Sequence, residues 1–254
     1  LAAERLFQEI AGSTNTPPQL RYRAQMMSGR AAVARQGYDD ARKIFSALLD
    51  NPKATGDAKI EATFALGDLI LIDLGAPASD ALAKITQSTN AFYSIIQNEP
   101  VSEVAARAWG RIGDSCRLIA SEQPGFRGFA IQAYQKSLTV TVEVPSNVRN
   151  HALMGMAYTL EQSSLSDGVN KGSLKEALNH MLAVFYGRHL ASEQKQDPYW
   201  RAQSGLGALR LLKKLKQYEQ WLKVCDELAH SFPGMKPSLL RKKEQLKKLT
   251  TSNP

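Results

Sequence analysis

Five glycines, Gly29, Gly67, Gly113, Gly155 and Gly207, recur 38, 46, 42 and 52 residues apart along the chain. An apolar residue precedes four of them directly, in Leu66-Gly67, Ile112-Gly113, Met154-Gly155 and Leu206-Gly207, and the first reads Met27-Ser28-Gly29. Gln25, Thr63, Trp109, His151 and Gln203 stand four residues ahead. A recurrence at spacings of this length points to repeated supersecondary units, and it constrains the fold more than any single segment does.

A second frame follows each glycine: a small residue, a large one four positions on, then a small or apolar one after three more. It reads Ala41, Phe45, Leu48; then Ser88, Phe92, Ile95; then Ala130, Tyr134, Ser137; then Ala177, Met181, Val184. The last copy has Trp221 in the small position, before Cys225 and Leu228. Pro52, Pro100 and Pro233 stop three of the units. Spacings of three and four put these residues on one helical face. The expectation is an all-α chain of antiparallel helix pairs: helix A carries the glycine, so that it approaches helix B closely, and the large residue of helix B fills the space between units. One pair cannot bury its apolar face alone, so neighbouring pairs must stack.

The two frames resemble the tetratricopeptide repeat, whose pattern is Trp-x2-Leu-Gly-x2-Tyr, Ala-x3-Phe and Pro. Trp109, Ile112, Gly113, Ala130 and Tyr134 carry the likeness best, and Gly155, Tyr158 and Ala177 add to it. The resemblance covers nearly the whole chain and implies a right-handed α-solenoid: a half repeat at 1–19, pairs at 20–53, 57–100, 103–145, 147–190 and 198–233, and a capping helix at 236–250. Ala3, Phe7 and Ile10 repeat the second frame without a first, as expected of a helix B that has lost its partner. The chain also opens at Leu1 without a Met or a signal-peptide pattern, as a piece of a longer array would. The surplus spacing falls at Asp73 to Asp80, Ser121 to Gly128 and Ser163 to Ser173, whose Gly, Pro and Ser content predicts loops. Thr139 to Val144 is β-branched, but it has no partner strand and reads as an extended linker.

Charge is distributed unevenly. Residues 1–200 hold 20 Lys+Arg and 20 Asp+Glu, and residues 201–254 hold 12 and 4, so the whole excess of +8 lies at one end. Lys213, Lys214, Lys216, Arg241, Lys242, Lys243, Lys247 and Lys248 make up most of it. Such a patch attracts nucleic acid, an anionic membrane or an acidic partner. Aromatics that would stack bases are scarce there, and the default reading is a solvated capping face. No apolar run approaches the length of a membrane span.

No P-loop, dinucleotide fingerprint, nucleophile elbow or zinc-protease motif occurs, so neither an enzyme nor a cofactor is expected. Cys116 and Cys225 lack metal-site spacing, and His151, His180, His189 and His230 fall on separate elements. His151 and His180 would be neighbours within one pair, short of the three protein ligands a zinc ion needs.

Six residues before each repeat glycine stand Arg23, Glu61, Arg107, Arg149 and Arg201. In solenoids of the family that this chain resembles, that position faces the concave groove, so the resemblance implies a ladder of guanidinium groups interrupted by Glu61. Guanidinium forks suit carboxylates; the alternative is that these arginines are solvated or pair with neighbouring acids. Arg30, Asp68, Asp114 and Met156 would lie further along the same groove. They lack the Lys and Asn clamp of the chaperone-tail-binding members. The expected partner is a protein or peptide segment, preferably acidic. Self-association through an apolar end near Leu6 and Phe7, as part of a larger assembly, stays open. The segment after Phe232-Pro233 is similar to the endings of bacterial cell-envelope tetratricopeptide proteins, including those that assist outer-membrane assembly. That implies an extracytoplasmic setting, with a cytoplasmic one open.

Overall fold

The computed structural model describes residues 2–72, 78–141, 143–166, 170–191 and 193–251. Among them there is no strand, and twelve α-helices follow one another: α1 (Ala2–Gly12), α2 (Pro18–Ala34), α3 (Tyr38–Asp50), α4 (Gly56–Ile72), α5 (Ala78–Asn98), α6 (Glu103–Ile119), α7 (Phe126–Thr139), α8 (Ser146–Ser166), α9 (Lys171–Tyr186), α10 (Pro198–Lys214), α11 (Tyr218–Ser231) and α12 (Lys236–Thr251). A 3-10 turn, Pro233–Met235, joins the last two.

Side chains set several of the helix starts. Ser102 accepts from the Ala105 N–H at 3.0 Å, Asn170 from Gly172 at 2.9 Å, and Asp197 from Tyr199 at 2.8 Å, with Pro198 at the first position of α10. After α9, Gly187 takes the left-handed region at φ +67°, where a glycine is unstrained. Gln36 and Lys216 adopt the same region behind α2 and α10, and the next residues' N–H groups reach back to Ala32 and Leu212, both at 2.9 Å. These reversals fold α3 back on α2 and α11 back on α10.

Consecutive helices pack against each other throughout, giving five successive pairs in which α2, α4, α6, α8 and α10 are the A helices. Each A helix also touches the next A helix, whereas, among the described residues, no B helix has a Cα within 8 Å of the next B helix. The A row is the tighter one and forms the inner side of the array.

The repeat glycines sit on rings and not on bare backbone. A Cβ on Gly29 would overlap the Phe45 ring, one on Gly67 the Phe92 ring, and one on Gly113 the Tyr134 ring. Gly155 and Gly207 receive the large residue of the preceding pair, Tyr134 and Met181. At the small position of helix B, the buried Ser88 hydroxyl donates to the carbonyl of Gly67 at 3.2 Å.

Two further expectations need correction. The surplus spacing lengthens helices more than loops: α8 runs on to Ser166, α9 begins at Lys171, and α5 already includes Asp80. Residues 73–77 and 167–169 of the anticipated loops lie outside the described residues. On α1 the inward residue is Glu4, 6% exposed, while Ala3 is exposed and Phe7 and Ile10 are half-buried. Arg35 is the reason, since its Nε and Nη2 donate to Glu4 at 2.8 and 3.1 Å and its Nη2 also to Asp40, clamping α1 onto the turn between α2 and α3. On α12, Leu239 and Leu246 are buried but Leu240 is exposed, and the Leu249 side chain lies outside the described residues. Of the run at 139–144, Thr139 is the last residue of α7, residue 142 lies outside the described residues, and Val144 buries against Ala106 and Val148.

Candidate functional site in the inner row

The inner row brings α4, α6, α8 and α10 around a cavity of about 490 Å³. Asp68 and Ile72 come from α4, Arg111, Asp114 and Arg117 from α6, His151 and Tyr158 from α8, and Tyr199, Trp200 and Gln203 from α10. On α6 the charged residues step by three and four, which places them on one face.

Asp114 is the hub. Its Oδ1 accepts from the Tyr134 hydroxyl at 2.8 Å, and its Oδ2 lies 2.8 Å from His151 Nε2 and 3.3 Å from Arg111 Nη1. Burial alone would raise its pKa; the His151 hydrogen bond and charge, Arg111 and Tyr134 outweigh it and hold the carboxyl down to about 2. Asp68, 3.1 Å from Arg111 Nε, shifts the other way, because burial outweighs the attraction of Arg111. Burial and the neighbouring Asp114 charge push the Tyr134 hydroxyl upward. Arg111 spends two of its nitrogens on Asp68 and Asp114, and Arg117 donates from Nε to Tyr134 at 3.4 Å. With Arg117 Nη2 also 3.9 Å from Asp114, one nitrogen of each fork, Nη2 of Arg111 and Nη1 of Arg117, lies beyond these contacts.

The aromatic side of the cavity is more open. Tyr199 is 62% exposed and packs edge-on against Trp200, with centroids 5.2 Å apart. Trp200 in turn lies 6.0 Å from the His151 ring.

His151 turns Nε2 to Asp114, and its Nδ1 lies over Gly110, where a Cβ would come within 2.9 Å. Neither nitrogen is directed at a ligand in the cavity, and the lining contains no Ser, Thr or Cys. Among the described residues no three His, Cys, Asp or Glu side chains are placed to hold a metal ion. Cys116 and Cys225 are buried free thiols in separate parts of the core, and burial pushes both upward.

The arginines ahead of the glycines have separate fates. Arg107 grips Glu61 with both ends of its fork and stacks 4.0 Å over Phe64, and Arg30 joins the same carboxylate at 3.4 Å. Glu61, which looked like a gap in a ladder, is therefore its anchor, and Arg107 holds its carboxyl below the usual range. Arg149 donates to the carbonyls of His189 at 2.7 Å and Val144 at 3.2 Å, tying the two ends of a helix pair together. Arg201 lies 5.6 Å over Phe185. Arg23 is exposed beside a second cleft of about 550 Å³, lined also by Met26, Met27 and Arg30. Asp68 and Asp114 do meet in the main cavity, whereas Met156 is buried in the core.

Sequence reading missed Arg111, Arg117, Tyr158, Tyr199 and Trp200 as cavity residues. Arg107, Arg111, Asp114 and Arg117 form a readable stripe on α6, but the Tyr199-Trp200 contribution depends on how α10 is rotated. His151, anticipated beside His180, contacts Asp114 across the inner row instead.

No helix of the described residues is long and apolar enough to cross a membrane. Compared with protein-family models and with curated proteins, the chain finds no match.

Proposed function

We propose that this chain is a noncatalytic interaction scaffold, a right-handed superhelix of the tetratricopeptide type that holds an extended segment of another protein along its inner row. The observation that carries the reading is the pairing of exposed Tyr199 and half-buried Trp200 with the guanidinium groups of Arg111 and Arg117 around one cavity. Tyr, Trp and Arg dominate the energetics of protein interfaces, because each offers a large rigid face and a directional donor. Asp114 is already satisfied by its neighbours, so a segment entering here meets donors and aromatic faces. That favours a partner presenting carboxylates or backbone carbonyls. Arg23 and Arg30 would extend the same surface toward α2.

A second reading is supported at the N-terminal end, where Leu6 and Leu20 are 55% and 50% exposed. An apolar end of this kind suits a structural subunit of a larger assembly, a cell-envelope one included.

One capture experiment from source-cell lysate separates the two, with nuclease in half of the samples. A protein held by the wild-type chain and lost by Arg117→Ala/Tyr199→Ala makes the inner row the binding surface. Retention by that variant together with loss by Leu6→Asp moves the function to the end.

A further inference from the structure

The A row is continuous up to α10 and then breaks. α12 occupies the next A position but packs on α11, and none of its Cα atoms comes within 8 Å of α10. The Pro233–Met235 turn directs it there, and buried Leu239 fixes it, its carbonyl accepting from Cys225 Sγ at 3.7 Å. Where the contact between A neighbours is absent, a cleft of about 430 Å³ lies between α10 and α12. Its floor is apolar: Leu209, Trp221 and Leu246 are each about 4–5% exposed, and Leu206 is half-buried. Its rim is cationic, with Arg210 and Lys213 from α10 and Lys242 from α12, and no carboxylate lines it. The closest acid on the α8 side, Glu161, is already filled by Arg210 at 2.9 and 2.6 Å and by Lys214 at 2.7 Å.

We propose that this cleft is a second docking site, for an acidic segment of another protein that inserts one apolar side chain between α10 and α12. The inserted side chain completes the layer that the next A helix would have supplied. Flanking carboxylates pair with Lys213, Lys242 and the outer edge of Arg210. Charge complementarity selects the occupant, since an apolar pocket with three cations and no acid repels a basic or neutral segment relative to an acidic one. A protein segment fits better than a nucleic acid, because the one aromatic group in the cleft, Trp221, is buried and offers no face for base stacking. The cleft shares no lining residue with the inner-row cavity, so the proposal stands independently of the function proposed for that cavity.

The test uses the full chain and fluorescence anisotropy at low salt. The probes are acetylated nonapeptides with Asp or Glu at every position except a central Leu, Phe or Trp. Matched controls carry a central Ser, or Asn and Gln in place of the acids. Single-stranded DNA and phosphatidylserine vesicles form two further arms. The expected result is binding of at least one acidic peptide, about tenfold weaker for both controls and for Lys213→Glu/Lys242→Glu. Both lysines are exposed, and an unaltered thermal midpoint checks that the reversed variant folds. Absence of peptide binding, equal binding of the controls, or equal binding by the reversed variant overturns the proposal. So does tighter binding of DNA or vesicles that the reversed variant abolishes.

Discussion

Asp114 shows how one carboxylate can organise a surface. It lies on α6, accepts from Tyr134 on α7 and contacts His151 on α8, so three helices are fixed through one side chain. Because its folded pKa is depressed, it contributes stability that is fully present above its ordinary value of 3.8 and is lost as pH falls toward about 2. Asp114→Asn is expected to be less stable than wild type by about 2 kcal/mol at neutral pH, with the difference closing between about pH 4 and pH 2, read from urea titrations at each pH. Constant separation across that range would show that the carboxylate charge is not what matters. Sequence alone placed Asp114 in the groove because its distance from Gly113 sets its face. It could not supply the hub, since the contacts with Tyr134 and His151 depend on which helices become neighbours.

At the scale of elements, the contact between a repeat glycine and a ring decides how pairs join. Tyr134 is fully buried and fills the hollows of both Gly113, in its own pair, and Gly155, in the next. Gly155→Ala must displace a ring that is also hydrogen-bonded to Asp114, and it is expected to cost about 1–3 kcal/mol. Gly128 is the control: it lies within α7, is exposed, and a Cβ there meets nothing within 4 Å. Gly128→Ala is expected to stabilise by about 0.5–1 kcal/mol through helix propensity and loss of unfolded-state freedom. Thermal denaturation of the two variants reads both signs, and a neutral Gly155→Ala would mean that the ring has room to move. Helix faces were legible because apolar spacing follows backbone geometry. The loops at 121–128 and 163–173 were drawn too long, since Ser and Gly within α7 and α8 are tolerated once tertiary packing covers the rest of the helix.

Among the described residues the core divides into three large clusters that meet at two helices and a small fourth around Ala106, Val144 and Val148. Phe45 and Leu48 belong to the first, Phe92 and Tyr134 to the second, and Met181 and Trp221 to the third. α4 contributes to the first two, through Leu69 and Phe64, and α8 to the last two, through Met156 and Met154. Stability in such an array passes from neighbour to neighbour and is not shared globally. Phe45→Ala, expected to cost about 3–5 kcal/mol in its own cluster, should therefore speed hydrogen exchange in α2 to α4 while α9 to α11 keep their protection. Uniform loss across the chain would contradict that independence. The period of the glycines made the stacked pairs readable, but the cleft beside α12 was not, because its origin is a missing contact and no residue pattern marks it. The asymmetry between the two rows has a mechanical consequence. With the inner row joined from α2 to α10 and the outer helices separate, the array is built like a spine with an unlaced back. A change of curl in such an array would fall on the outer gaps and leave every helix folded.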